Sequence, residues 1–321
     1  MKTFESCDEI YPKWSSGIKR NLNRMTKNSV VFLAARQELV PYLSVESLTD
    51  APSLSPPFDI WERGGLDSDI RCVTNGYLDA AEVAGYTGKP ESICLAARSF
   101  EYGTLGIYAD LEQNRRYELR FDRPSQVKMS MCDVRHLGTG CWLGKTDETI
   151  RLGRLLIQAY RNQWFIYSAY PIFSFMLSVV ADYLKEPPLQ LVGEAAENSL
   201  FKELLQHWAT TDMALITRLT LAACNYHTHR CKPDKNREWY EFAYGGNGML
   251  WPIEINLLFR LREISGLENP IIDHPLMNTV LGKLQAPQAC ESDDIMLKVR
   301  AKMRTEGFDE DAIFEAICGK A

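Results

Sequence analysis

The sequence lacks an uninterrupted apolar run of membrane-spanning length, a surplus of basic charge and any local catalytic signature. Its most apolar stretch, Trp164 to Ala181, is broken by Pro171 and several polar side chains, so it is not expected to cross a bilayer. Lys and Arg number 36 against 42 Asp and Glu, a net charge of -6. That balance disfavours nucleic-acid binding, because phosphate contacts need clustered cations. In the opening residues, MKTFESCDEIYPKW, Glu5, Asp8 and Glu9 interrupt the place where an apolar export signal would run. No G-x-S-x-G, H-E-x-x-H or Cys-His signature occurs, which leaves nucleophilic and metalloprotease chemistry without support. No repeat of fixed period is visible. Nine cysteines without regular pairing are expected as reduced, mostly buried thiols of a cytoplasmic protein.

What is present is enough apolar material for a large core. The chain has 321 residues, 45% hydrophobic and 24% charged, which suits one large or two moderate domains. Residues 15 to 43 predict two helical runs, the second from Val30 through Leu39, capped by Asn28 or Ser29 and stopped at Pro41. A turn-rich segment, Asp50 to Pro57, follows. Around it Glu46, Asp50, Asp59, Glu62, Asp67 and Asp69 face only Arg63, an acidic stretch that reads either as a solvated loop or as a docking patch for a basic partner. A helix is expected over 76–86. From Ser92 to Val134 the alternation of Tyr117, Leu119 and Phe121 with Glu118 and Arg120, and the runs 93–97, 105–108 and 127–131, predict four short strands of an antiparallel sheet covered on one face. Helices are then expected over 146–161, 173–185, 198–208, 212–227, 295–305 and from Asp309 through Ile317. The expected fold class is α+β: an N-terminal domain over 1–144 with a small antiparallel sheet, and a mainly helical domain over 145–321.

Three constellations invite a chemical reading. His227-x-His229-x-Cys231 offers three zinc-binding residue types, but the spacing does not put them on one helical face and no second ligand pair exists. The plainer reading is a helix C-terminus, where basic side chains meet the carbonyl end of the dipole. Gly245-Gly246-Asn247-Gly248 lacks the Lys-Ser or Lys-Thr pair of a phosphate loop and reads as a turn. Pro252 opens a helix on which Ile253, Leu257, Leu258 and Leu261 share a face, and Ser265-Gly266 closes it. Glu254 lies beside that apolar stripe, where a carboxylate is costly to bury without a partner. With Trp251, Asp273 and His274 it forms a possible acid/base cluster.

The stretch from Trp239 through Trp251-x-x-Glu254, an apolar helix, Gly266-Leu267-x-Asn269 and the closing Asp273-His274-Pro275 resembles the C-terminal helical motif of the PoNi family. These are immunity proteins that neutralise PoNe-type nuclease toxins, including effectors of type VI secretion. The resemblance covers roughly residues 197–285. It implies a non-enzymatic protein that binds a cognate nuclease toxin stoichiometrically, blocks its active site or its assembly, and needs no cofactor or metal. Trp239, Trp251, Glu254, Gly266, Asp273, His274 and Pro275 would be structural, with Glu254 holding backbone or a basic side chain inside the fold. The acidic patch would face the toxin's basic surface. Direct binding to nucleic acid or membrane is not expected, and self-association stays open. Two other readings remain at this point: a small-molecule enzyme using a Glu254/His274 cleft, and a helical adaptor.

Overall fold

A computed structural model describes residues 9–11, 14–44, 66–122, 129–166, 168–231, 241–242 and 248–319. Helices dominate these residues. Four form the first part: α1 (Trp14–Ala34), α2 (Leu39–Ser44), α3 (Leu66–Tyr86) and α4 (Ser92–Phe121). Next come α5 (Arg135–Trp142), α6 (Thr146–Arg161), α7 (Pro171–Tyr183), α8 (Gly193–Glu197) and α9 (Ser199–His207). The chain closes with α10 (Met213–His229), α11 (Ile253–Ile264), α12 (Asp294–Thr305) and α13 (Glu310–Cys318).

The expected antiparallel sheet is overturned, and with it the α+β class: the protein is mainly helical. The runs 93–97, 105–108 and 117–121 all lie inside α4, a single helix of 30 residues. Their apparent alternation was too short to separate the two periods. Over the whole segment Ala96, Phe100, Ile107 and Leu111 recur at spacings of roughly one and two helical turns and are buried. Of the run 127–131, 127–128 lie outside the described residues; among the described residues of this segment only Met129–Ser130 is a strand, and it pairs in parallel with Phe165–Ile166, in register Met129 with Phe165. Two further expectations shift. α1 runs unbroken to Ala34, and Pro41 sits in the first turn of α2, where its missing N–H has no helical partner to lose, so it stops nothing. The helix expected over 76–86 begins ten residues earlier, at Leu66.

The later helices follow their sequence signals closely. Asp212 caps α10 by accepting from the N–H groups of Ala214 at 3.0 Å and Leu215 at 3.1 Å. Asp309 caps α13 in the same way. Asp293 caps α12 and also accepts from the hydroxyls of Tyr77 and Tyr102 and pairs with Arg36, so one carboxylate ties α12 to α3, α4 and the turn after α1. α7, with Pro171 at its first position, is buried on all sides from Pro171 to Ala181, as a central helix must be.

One buried hydrophobic cluster contains residues from Trp14 to Ile313 and includes side chains from both sides of position 144. Close helix approach depends on small residues. A Cβ at Gly138 of α5 would stand 2.3 Å from the Ile253 carbonyl oxygen, so α5 can lie against the start of α11 only with glycine there. The Trp142 and Trp251 rings then meet edge to face, with centroids 4.8 Å apart. Of the cysteines, Cys94 and Cys290 form a disulfide joining α4 to the segment before α12, where reduced thiols were expected. Among the described residues no helix is long and apolar enough to cross a membrane.

Candidate functional site

The face of α3 formed by Arg71, Asn75, Asp79 and Glu82 carries polar groups at helical spacing into the interior. Arg71 and Asn75 are half-buried, whereas Asp79 and Glu82 are fully buried. Two clusters of ionisable side chains are built on this stripe, one sealed and one around a cavity.

The sealed cluster contains much of the Trp251–Pro275 stretch. Glu254, in the first turn of α11, is fully buried, and its Oε1 lies 2.8 Å from His227 Nδ1 of α10. The other ring nitrogen of His227, Nε2, lies 2.9 Å from the Gly248 carbonyl oxygen. Both nitrogens therefore face oxygen acceptors, and a doubly protonated imidazolium satisfies both at once. Burial alone would depress the His227 pKa, but the adjacent Glu254 outweighs it and holds the imidazole well above the ordinary histidine range. Glu82 completes the joint by accepting from the N–H groups of Gly248, at 2.6 Å, and Leu250. Burial pushes Glu82 up to about 7, against the opposing pull of those two N–H groups and His227. Together these contacts tie α3, α10 and α11 to the turn at 248–250.

The motif residues divide as follows. Trp251 is buried in the core, and its indole N–H has no acceptor among the described residues. Gly266 has φ +74° and closes α11, where a left-handed residue is required. Asp273 accepts weakly from the Asn278 amide, at 3.5 Å. His274 is 1% exposed, accepts at Nδ1 from the Leu276 N–H at 3.1 Å, and is pushed down to about 4 by burial and then by the charge of His227. Pro275 lines a shallow groove beside Ile18 and Leu22 of α1. Glu254 and His274 thus belong to the interior and open onto no cleft among the described residues. Nor does the H-x-H-x-C run converge: His227 and His229 engage different partners, Nε2 of His229 lying 3.1 Å from the Glu9 carbonyl, and the Cys231 thiol donates to the His227 carbonyl. Trp239 lies outside the described residues, as do Glu46, Asp50, Asp59 and Glu62. Of the acidic candidates, Asp67 and Asp69 fall in the first turn of α3, where Asp69 is half-buried.

The second cluster lines a cavity of about 330 Å³ between α3, α4, α5 and the turn at 241–242. Arg71 bridges Asp110 and Asp133, meeting the latter at 3.0 Å. Arg135 donates to the Asn75 amide oxygen at 2.6 Å, while its buried Nε has no acceptor. His136 is 1% exposed and its Nδ1 has no partner among the described residues. Burial, reinforced by the charges of Arg135 and Arg71, holds it well below the ordinary histidine range and therefore neutral. Its position depends on Gly103, where a Cβ would come within 2.2 Å of the imidazole ring. Glu241 accepts from the Ile172 N–H at 2.5 Å at the start of α7 and from Arg230 at 3.0 Å.

Sequence reasoning missed this second cluster. One signal was present: Arg71, Asn75, Asp79 and Glu82 recur at the helical period within a segment otherwise rich in Ala, Val, Leu and Ile, which marks a polar stripe on a buried helix. His136 and Glu241 carry no comparable local signal. Neither a protein-family model, nor a curated protein, nor a solved structure matches the chain.

Proposed function

We propose that this chain is an immunity protein that neutralises a nuclease toxin, a type VI secretion effector in the fullest form of the reading, by binding it stoichiometrically. The observation that carries the proposal is the sealed state of the motif: Trp251 and Glu254 are 0% exposed and His274 is 1% exposed. Catalytic groups have to reach a substrate, whereas groups that frame a binding surface do not. Glu254 lies against the His227 imidazole inside the fold, an internal role of the kind the PoNi resemblance would give it. The chain's acidic balance suits a basic DNA-processing partner, with charge governing encounter rate and partner choice more than final affinity. The acidic stretch from Glu46 to Asp69 is the proposed toxin-facing surface.

The test is co-purification of the full chain with the product of the neighbouring gene, followed by plasmid degradation by the captured protein with and without added chain. Silencing of a nuclease at equimolar ratio is the expected result. A captured nuclease that stays fully active would sink the reading. Reversal of Glu46, Asp50, Asp59, Glu62, Asp67 and Asp69 to lysine is expected to weaken binding at least about tenfold, mainly through slower association. Unchanged association kinetics would remove this stretch from the interface.

A further inference from the structure

The cavity bounded by α3, α4 and α5 has the dimensions of a small-molecule site and is lined by a guanidinium, Arg135, that no carboxylate meets directly among the described residues. Of its two guanidinium groups, Arg71 is neutralised by Asp110 and Asp133. Arg135 has only the neutral Asn75 amide as a hydrogen-bond partner among the described residues, and its Nε is buried without an acceptor. The buried acids whose fields act on Arg135 are Asp79 and Glu82; Glu82 spends its oxygens on the Gly248 and Leu250 N–H groups, and both carboxylate oxygens of Asp79 are unpartnered among the described residues. Burial, with Glu82 nearby, pushes Asp79 up to about 8, so at neutral pH it carries a proton and contributes little compensating charge. Beside Arg135 stands His136, 1% exposed and lining the same cavity, with Nδ1 unpartnered among the described residues.

A half-buried guanidinium with open donors, next to a buried imidazole with an open nitrogen, is costly unless an anion or water meets it. A carboxylate suits the guanidinium fork, since its two oxygens accept parallel N–H bonds. The cavity wall also carries the carboxylates of Asp133 and Glu241, which would repel a doubly charged phosphate far more than a single negative charge. Ile107 and Phe242 supply an apolar surface for a short carbon body. We propose that this pocket binds a small monoanionic organic carboxylate, clamped by Arg135 with Asn75 and His136 beside it. This site is independent of the toxin-binding reading and stands or falls without it.

The test uses the full chain, dialysed free of organic acids. It is titrated calorimetrically near neutral pH and at constant ionic strength with acetate, L-lactate, benzoate and L-glutamate in turn, and with inorganic phosphate as the distinguishing arm. Saturable equimolar binding of at least one monocarboxylate is expected, weakened at least about tenfold by Arg135→Gln and partly restored by Arg135→Lys. In the unmutated protein the same ligand should shift the ring resonances of His136 and leave those of His207 on α9 in place, a readout that does not depend on a variant folding. Three results would each overturn the proposal: no saturable binding by any carboxylate, tighter binding of phosphate than of every carboxylate, or binding that leaves the His136 resonances unmoved.

Discussion

The two clusters on α3 use the same kinds of side chain to opposite ends. Around His227 the histidine itself is complete: both ring nitrogens face oxygens, and Glu82 takes up two backbone N–H groups, while Glu254 Oε2 and His274 Nε2 are left without a partner among the described residues. Around Arg135 the histidine is incomplete: among the described residues Nδ1 of His136, Nε of Arg135 and both oxygens of Asp79 have no partner. The first arrangement excludes solvent and joins three helices. The second encloses about 330 Å³. The comparison teaches that a buried histidine beside charged groups is not by itself a sign of chemistry; what matters is whether its neighbours complete its hydrogen bonds.

The most severe way to break this contrast is to remove one partner from the sealed joint. Glu254→Ala strands a buried imidazolium and is expected to cost about 3–5 kcal/mol in denaturant unfolding. A loss under about 1 kcal/mol would mean that His227 is neutral in the fold and the joint is not an ion pair. Next in size, Gly103→Ala forces a methyl group onto the His136 ring at the cavity and is expected to cost about 1–3 kcal/mol, through overpacking rather than lost charge. Its loss should be the same at low and high salt, and a marked salt dependence would contradict that origin.

A test of opposite sign, a gain rather than a loss, sharpens the comparison through pH. Asp79 is raised in the fold to about 8 from an ordinary 3.8, so between those values the native state holds a proton that the unfolded state has released. Its contribution to stability therefore falls as pH rises through that window. Asp79→Asn removes the titration and should gain stability relative to the parent as pH rises from about 4 to about 8, with the curves parallel outside that range. Parallel curves throughout would show that Asp79 is compensated in the fold and would place it with the sealed cluster.

Much of the helical framework was legible in the chain. Asp212, Asp293 and Asp309 sit where caps belong, and Pro252 and Gly266 bracket α11, because capping depends on chemistry within a few residues. Glu254 also announced itself, as a carboxylate beside an apolar stripe that had to find a partner. The sheet was misread because α4 carries Gly103 in its interior, and glycine there looks like a turn. Gly103 is present because of the imidazole of His136, 33 positions away in the sequence, a contact no local pattern contains.

The sequence alone therefore determined the ends of the later helices, the acidic balance and the need to pair Glu254, each a matter of local chemistry or composition. Only the tertiary structure decided that His227 is that partner and that Glu82 seals the same joint. It alone brought Arg71, Arg135 and His136 around one cavity. The physical reason is that burial and charge compensation belong to neighbours in space, and those neighbours come from α3, α5, α10 and α11, which the chain visits far apart.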